Sequence, residues 1–221
     1  MATLFVVATP IGNLEDITQR ALRILKEVDH IACEDTRVTK KLLDHYGITT
    51  NTISYHQHSG AGKISFLIEQ LKVGKNVAVV TDAGTPGISD PGGLLVKAAH
   101  DAGIKVEAVP GPSALVAALS ISGVPTDKFT FYGFLPHKKG RETIFKKIID
   151  ANQTVVFYES VHRVEKTLSQ LSALGLDRMV VVTRELTKKF ETMYRGTAAE
   201  VLAKLQADEI KGEFVIIVSG Q

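Results

Sequence analysis

Residues able to do chemistry gather at a few places in this 221-residue chain, and most of them directly follow a short apolar run. Asp82 comes after the run at 77–81, Glu34 and Asp35 after 30–33, and Arg184, Glu185 and Lys188 at and after the end of 179–184. A carboxylate at the end of a strand can accept hydrogen bonds from a ribose or an amino group. Three segments rich in glycine and proline stand in similar positions: ATPIGN at 8–13, TDAGTPGISDPGG at 81–93 and VPGPSA at 109–114. Glycine lets the backbone come close to a ligand, and proline fixes the shape of the loop. One such turn is ordinary; three on successive units predict a ligand-binding edge, with 81–93 its main part.

Other signals point away from common chemistries. No G-x-x-x-x-G-K-[ST] motif occurs, which excludes a P-loop nucleotide hydrolase. Gly60-Ala-Gly62 lacks the third glycine of a dinucleotide-binding turn and reads as a plain loop. His56 and His58, one residue apart, would share a face of an extended segment and could ligate a metal. No cysteine cluster or second carboxylate accompanies them, so no metal is expected.

The elements that must position these residues alternate. Strands are predicted at 4–8, 30–33, 52–55, 77–81 and 105–109, and amphipathic helices at 18–28, 64–71 and 92–102. That order calls for a mostly parallel sheet covered by helices on both faces. The pattern breaks at 121–128, where Gly123, Pro125 and Asp127 lie close together, and a domain boundary is expected between residues 122 and 123. The second half reads as strands at 129–132, 154–158, 179–184, 191–195 and 214–218, with helices at 141–151 and 164–173. Thr197 and Glu200 form a capping box opening a further helix to about Gln206. The whole is an α/β protein of two α/β domains, the second with fewer clear βαβ units.

Composition narrows the setting. Hydrophobic residues make up 44% and charged residues 23%, the balance of a globular chain. A single cysteine, Cys33, rules out an intrachain disulfide and fits a reducing, cytoplasmic compartment. The first dozen residues lack a basic segment and read as no signal peptide. No apolar stretch approaches the roughly 20 residues a membrane span needs. A net charge of +2 excludes a uniformly basic nucleic-acid binder, though the run 137–147 is locally basic, with Lys138, Lys139, Arg141, Lys146 and Lys147 against Glu142. That run is either a solvated helix face or a phosphate contact.

Read in order, TPIGN at 9–13 with DIT at 16–18, EDTR at 34–37, SDPG at 89–92, PGPS at 110–113, FYES at 157–160 with His162 and Arg163, RELTK at 184–188 and KGE at 211–213 resemble one family. It is the bacterial small-subunit rRNA 2′-O-methyltransferases of the tetrapyrrole methylase superfamily. DAGTP at 82–86 together with FYESVHR at 157–163 points to the RNA branch. The porphyrin branch would carry a G-x-G-x-G first loop, which this chain lacks.

The resemblance implies S-adenosyl-L-methionine bound in a cleft between the two domains. It also implies a homodimer, and methylation of the ribose 2′-oxygen of a cytidine in the decoding centre of 16S rRNA, within the 30S subunit. Carried over residue by residue, the donor would meet Pro10 and Ile11, then Asp82, Ala83, Gly84 and Thr85, then Ser113 and Ala114. From the second domain it would meet Tyr158, Glu159, Lys211 and Gly212. Ser113 could equally be a helix cap.

Members usually continue past the last strand into a helical extension, and this sequence ends at Gln221. Methyl transfer needs positioning foremost and a base to take the hydroxyl proton. Asp35, Glu185 and Lys188 are the expected catalytic residues, with Glu34 and Glu159 also able to serve as the base. Glu34–Arg37 could instead be only a capped helix start with a surface ion pair. A methylase of a tetrapyrrole or other small acceptor, and a non-catalytic donor-binding module, are the alternatives.

Overall fold

The computed structural model describes residues 2–56 and 59–221, so the pairing of His56 with His58 lies outside the described residues. Two compact units form, Met1–Ser113 and Ala114–Gln221.

The first unit holds five strands: β1 (Thr3–Val7), β2 (His30–Cys33), β3 (Thr52–Ser54), β4 (Val77–Val80) and β5 (Lys105–Val109). Their order is β3-β2-β4-β1-β5, and every pairing is parallel. Helices α1 (Gln19–Glu27), α2 (Thr36–His45), α3 (Ala61–Lys72) and α4 (Gly93–Asp101) make the crossovers that parallel pairing requires. Successive residues of a strand face opposite sides of the sheet, so each strand feeds two cores. On one side Val7, Ile31, Ala78 and Val80 pack with Ala21, Ile24 and Leu25 of α1 and Leu42 and Leu43 of α2. On the other, Leu4, Ala32, Val77 and Val79 pack with Leu67 and Leu71 of α3 and Leu95 and Ala99 of α4. Central β4 is buried along its whole length, as a strand covered on both faces must be.

The second unit begins with α5 (Ala114–Ser122). It continues through β6 (Phe129–Phe134), α6 (Arg141–Ile149), β7 (Thr154–Ser160), α7 (Val164–Ala173), β8 (Val180–Arg184), β9 (Thr192–Gly196), α8 (Ala198–Gln206) and β10 (Glu213–Val218). The sheet order is β6-β7-β10-β8-β9. Only β6 and β7 run parallel; β10 lies antiparallel to β7 and β8, and β8 to β9. Val155, Phe157, Val182, Phe214 and Ile216 build one core with Phe145, Leu168, Leu171 and Leu205 from the helices. The capping box at Thr197 and Glu200 is formed.

Two helices went unread in the sequence. In α2 only Thr39, Leu42 and Leu43 are buried, too few to show a periodic stripe. In α5 the apolar residues run all round the helix, and it packs on β10. That packing is why the units divide at residues 113/114, nine residues before the expected position.

Candidate functional site

Because all five strands of the first unit are parallel, their carboxyl ends share one edge, the usual place for a ligand in such a sheet. The loops after β4, β1 and β5, three neighbouring strands, are tied to each other there. Thr9 and Gly84 form a reciprocal backbone bridge, the Thr9 N–H donating to the Gly84 carbonyl at 2.9 Å and the Gly84 N–H to the Thr9 carbonyl at 3.0 Å. The Thr9 hydroxyl donates to the Thr81 carbonyl at 3.0 Å, and the Thr85 hydroxyl to the Pro112 carbonyl at 3.1 Å.

Glycine is required at two of these contacts. Gly84 has φ +85° and faces Ile11 Cγ2 and the Pro112 carbonyl. A side chain at Gly111 would stand 3.0 Å from the Ala8 methyl. The structure thus gathers Ile11, Asp82, Ala83, Gly84, Thr85 and the segment ending at Ser113 along one edge. Ile11 is buried, Pro10, Thr85 and Ser113 are half-buried, and Asp82 and Ala83 are exposed. An apolar wall, main chain brought close by glycine and an outward carboxylate suit a ligand that carries an aromatic base, a ribose and an ammonium. Ser113 closes the first unit and Ala114 opens α5 in the second.

The end of β2 adjoins this edge. The Asp35 N–H donates to Asp82 Oδ1 at 3.0 Å, which ties the ends of β2 and β4 together. Asp35 caps α2 by accepting the Arg37 N–H at 2.8 Å, and Arg37 Nη2 pairs with its Oδ2 at 2.6 Å. The Arg37 side chain and amide hold the Asp35 carboxyl down to about 2. A carboxylate so weakly basic is poorly matched to proton abstraction near neutral pH. Glu34 behaves oppositely. Burial first, and then the Asp82 charge, push its carboxyl above the ordinary range, while His56 opposes the rise. Asp82 is also raised, chiefly by partial desolvation of its carboxyl, although the residue as a whole stays exposed.

A cavity of about 440 Å³ opens on the same unit, with Tyr55, His56, Ser59, Asp90, Gly92 and Leu94 in its wall. Tyr55 is buried and packs in the same core as Leu95 of α4. Sequence reasoning missed this cavity. Its only signal was that the two flanking segments come after strands that turned out to be close in the sheet.

In the second unit, Glu185, Lys188 and Gly212 come together. Glu185 Oε1 accepts the Glu213 N–H at 3.0 Å and the Lys188 ammonium at 2.9 Å, and Lys188 also reaches Glu213 Oε2 at 2.9 Å. Burial alone would lower Lys188, but the Glu213 and Glu185 carboxylates outweigh it and keep the ammonium charged above its ordinary value. Burial would likewise raise Glu185, and Lys188 reverses that. The pair is therefore a fixed set of charges and neither member is a ready base. Glu185 and Thr187 both adopt left-handed backbone, at φ +52° and +65°. Lys211 is exposed and pairs with Glu209, whose carbonyl accepts Arg184 Nη1 at 2.7 Å.

Glu159 is placed differently from its neighbour Tyr158. Its side chain is fully buried, with Oε1 2.7 Å from Arg163 Nε and Oε2 accepting the Thr167 hydroxyl at 2.8 Å. Arg141 Nη1 stands 3.7 Å away. The carboxylate is committed to the core of its own unit. Tyr158 stays half-buried, its ring edge-on to Phe131 and Phe134. Among the described residues no group of three metal-ligating side chains occurs, and no helix is long and apolar enough to cross a membrane.

Comparison with known proteins points the same way. Residues 3–202 match the family model of the tetrapyrrole (corrin/porphyrin) methylases. A Synechocystis protein named ribosomal RNA small subunit methyltransferase I is 47% identical, over 100% of this chain and 80% of its own length. The Escherichia coli O157:H7 protein of the same name is 49% identical, over 98% of this chain and 77% of its own. Among solved structures, the uroporphyrin-III C-methyltransferase of Thermus thermophilus complexed with S-adenosylhomocysteine superposes with a TM-score of 0.66 at 20% identity. That match covers 98% of this chain and 97% of the other, a likeness of fold.

Proposed function

Because the chain belongs to the tetrapyrrole (corrin/porphyrin) methylase family, we propose that it uses S-adenosylmethionine to methylate small-subunit ribosomal RNA. The acceptor in this reading is the ribose 2′-hydroxyl of a cytidine in the decoding centre of 16S rRNA. The substrate form is the 30S subunit, and the enzyme acts in the cytoplasm as a homodimer. The observation that carries the reading is the Thr9–Gly84 bridge, which joins the β1 and β4 loops into one cradle. The shared name of relatives at 47% and 49% identity supplies the class of acceptor.

Pro10, Ile11, Asp82, Ala83, Gly84, Thr85 and Ser113 hold the donor in this proposal, with Ala114, Tyr158, Lys211 and Gly212 completing it and Glu159 bracing the last turn of its strand. When bound, the donor supplies an electrophilic methyl group on a positively charged sulfur. Asp82 offers a carboxylate to the donor's ribose or ammonium, and Ile11 offers an apolar wall. Asp35 aims Arg37 outward, where a guanidinium with an 87% exposed side chain can meet a phosphate. Lys188, held protonated between the Glu185 and Glu213 carboxylates, fixes the loop after β8 beside Gly212 in this reading.

The test is incubation of the full chain with methyl-labelled donor and, separately, 30S subunits, naked 16S rRNA and uroporphyrinogen. Label on a ribose of 30S RNA is expected. Label on the porphyrin, or donor binding without any transfer, overturns the proposal.

A further inference from the structure

The carboxyl edge of the first sheet has a lateral order. Reading across it, β3 leads into Tyr55 and His56, β2 into Glu34, and β4 into Asp82; β1 and β5 carry the remaining donor loops. The cavity is walled by the segment after β3 (Tyr55, His56, Ser59) and by the far part of the loop after β4 (Asp90, Gly92, Leu94). Strand β2 is the one between them. Glu34, the first residue after β2, therefore follows the strand that runs between the two cavity-walling segments and borders the cradle of β4, β1 and β5. Neighbouring strands are about 4.8 Å apart, and the ends of β2 and β4 are joined here by the Asp35 N–H, which donates to Asp82 Oδ1 at 3.0 Å. Among the described residues Glu34 makes no ion pair, whereas Asp35 is held by Arg37.

We propose that the cavity seats the acceptor nucleotide and that Glu34 takes the proton of its reacting hydroxyl. This rests on the reading of the chain as an RNA ribose methyltransferase. The hydroxyl O–H bond breaks and its proton goes to a Glu34 carboxylate oxygen. The hydroxyl oxygen bonds to the methyl carbon as the carbon–sulfur bond of the sulfonium donor breaks, leaving a neutral thioether. Half-buried Glu34 then loses its proton to solvent. The groups facing Glu34 are Asp82 from the β4 end, His56 from the β3 end and Asp35 from the start of α2. The first and last are anionic neighbours that make the carboxylate a better proton acceptor, Asp82 being the stronger of the two.

The experiment compares wild type, Glu34→Gln and Glu34→Asp on 30S subunits with labelled donor. Glu34→Gln is expected to slow kcat by about 10²- to 10⁴-fold, the usual contribution of a general base. KM for donor and subunit, and donor-induced thermal stabilisation, should stay within about two-fold of wild type. The acidic limb of the wild-type kcat–pH profile should vanish in Glu34→Gln and persist in Asp35→Asn. Glu34→Asp, which keeps a carboxylate on a shorter arm, should recover part of the rate.

One readout needs no turnover. A carboxyl raised by folding favours the folded state when protonated, and that advantage is lost as pH rises through its folded value. Glu34→Gln should therefore melt higher than wild type near neutral pH, with the difference closing as pH falls below about 4, where the carboxyl is protonated in both states. Wild-type turnover by a folded Glu34→Gln, or a persisting acidic limb, overturns the inference alone. No label in small-subunit RNA from wild type overturns the substrate reading and this inference with it.

Discussion

Gly212 shows how one backbone conformation holds a set of charges. Its φ is +92°, and a methyl group there would overlap the Glu185 carboxylate and sit 2.5 Å from its Cγ. Glu185 lies flat across the glycine, which is what lets its Oε1 accept both the Glu213 N–H and the Lys188 ammonium. Gly212→Ala must displace that side chain and also adopt a left-handed φ. A loss of about 1–3 kcal/mol in the second unit is expected, measured by denaturant unfolding. A variant that unfolds at the wild-type denaturant concentration would show that Glu185 relaxes without cost. The residue types at 184–188 and 211–213 were visible in the sequence. That one glycine admits the side chain of the other segment was not, because it depends on β10 pairing with β8.

At the scale of elements, Glu159 joins four of them. Through Arg163 and Arg141 it reaches the Leu135 and Pro136 carbonyls after β6, and through Thr167 it reaches α7. Two guanidiniums share one buried carboxylate, so removing that charge leaves like charges in a poorly solvated place. Glu159→Gln should cost about 3–5 kcal/mol, read as a lower unfolding midpoint, and should loosen the loop that carries Lys138 and Lys139. An unchanged midpoint would mean that water serves the arginines well enough. This placement was partly legible. Val155, Phe157 and Glu159 are two residues apart, and period-two alternation puts Glu159 on the same face as Phe157, which is a core residue. The family resemblance draws attention to the residue, and the alternation says where its side chain goes. The cap at Asp35 was legible in the same local way, while the body of α2, with so few buried positions, was not.

For the molecule as a whole, the parallel sheet of the first unit was readable because strands and helices alternate regularly along it. The antiparallel pairings of the second were not, since alternation within a strand says which face is buried and nothing about which strand lies beside it. Charge also acts at this scale. Net charge is only +2, so under the proposed function any attraction to RNA must be local. Of the run 137–147, Arg141 is buried in the Glu159 network, and Lys138, Lys139, Lys146 and Lys147 are exposed. Replacing Lys138 and Lys139 by alanine should lower the slope of log affinity against log salt by about 0.7–0.9 for each phosphate that is no longer neutralised. An unchanged slope would assign these lysines to ordinary solvation.

The Thr9–Gly84 bridge has a consequence for the rate and heat of binding. Its two hydrogen bonds, and that from Thr85 to Pro112, are made by the chain with itself, so the loops take their arrangement as the sheet folds. A ligand arriving there meets a pre-organised surface, and little conformational entropy is left to lose on docking. Capture of the donor proposed for this site should then be limited by diffusion and desolvation and not by rearrangement of the loops.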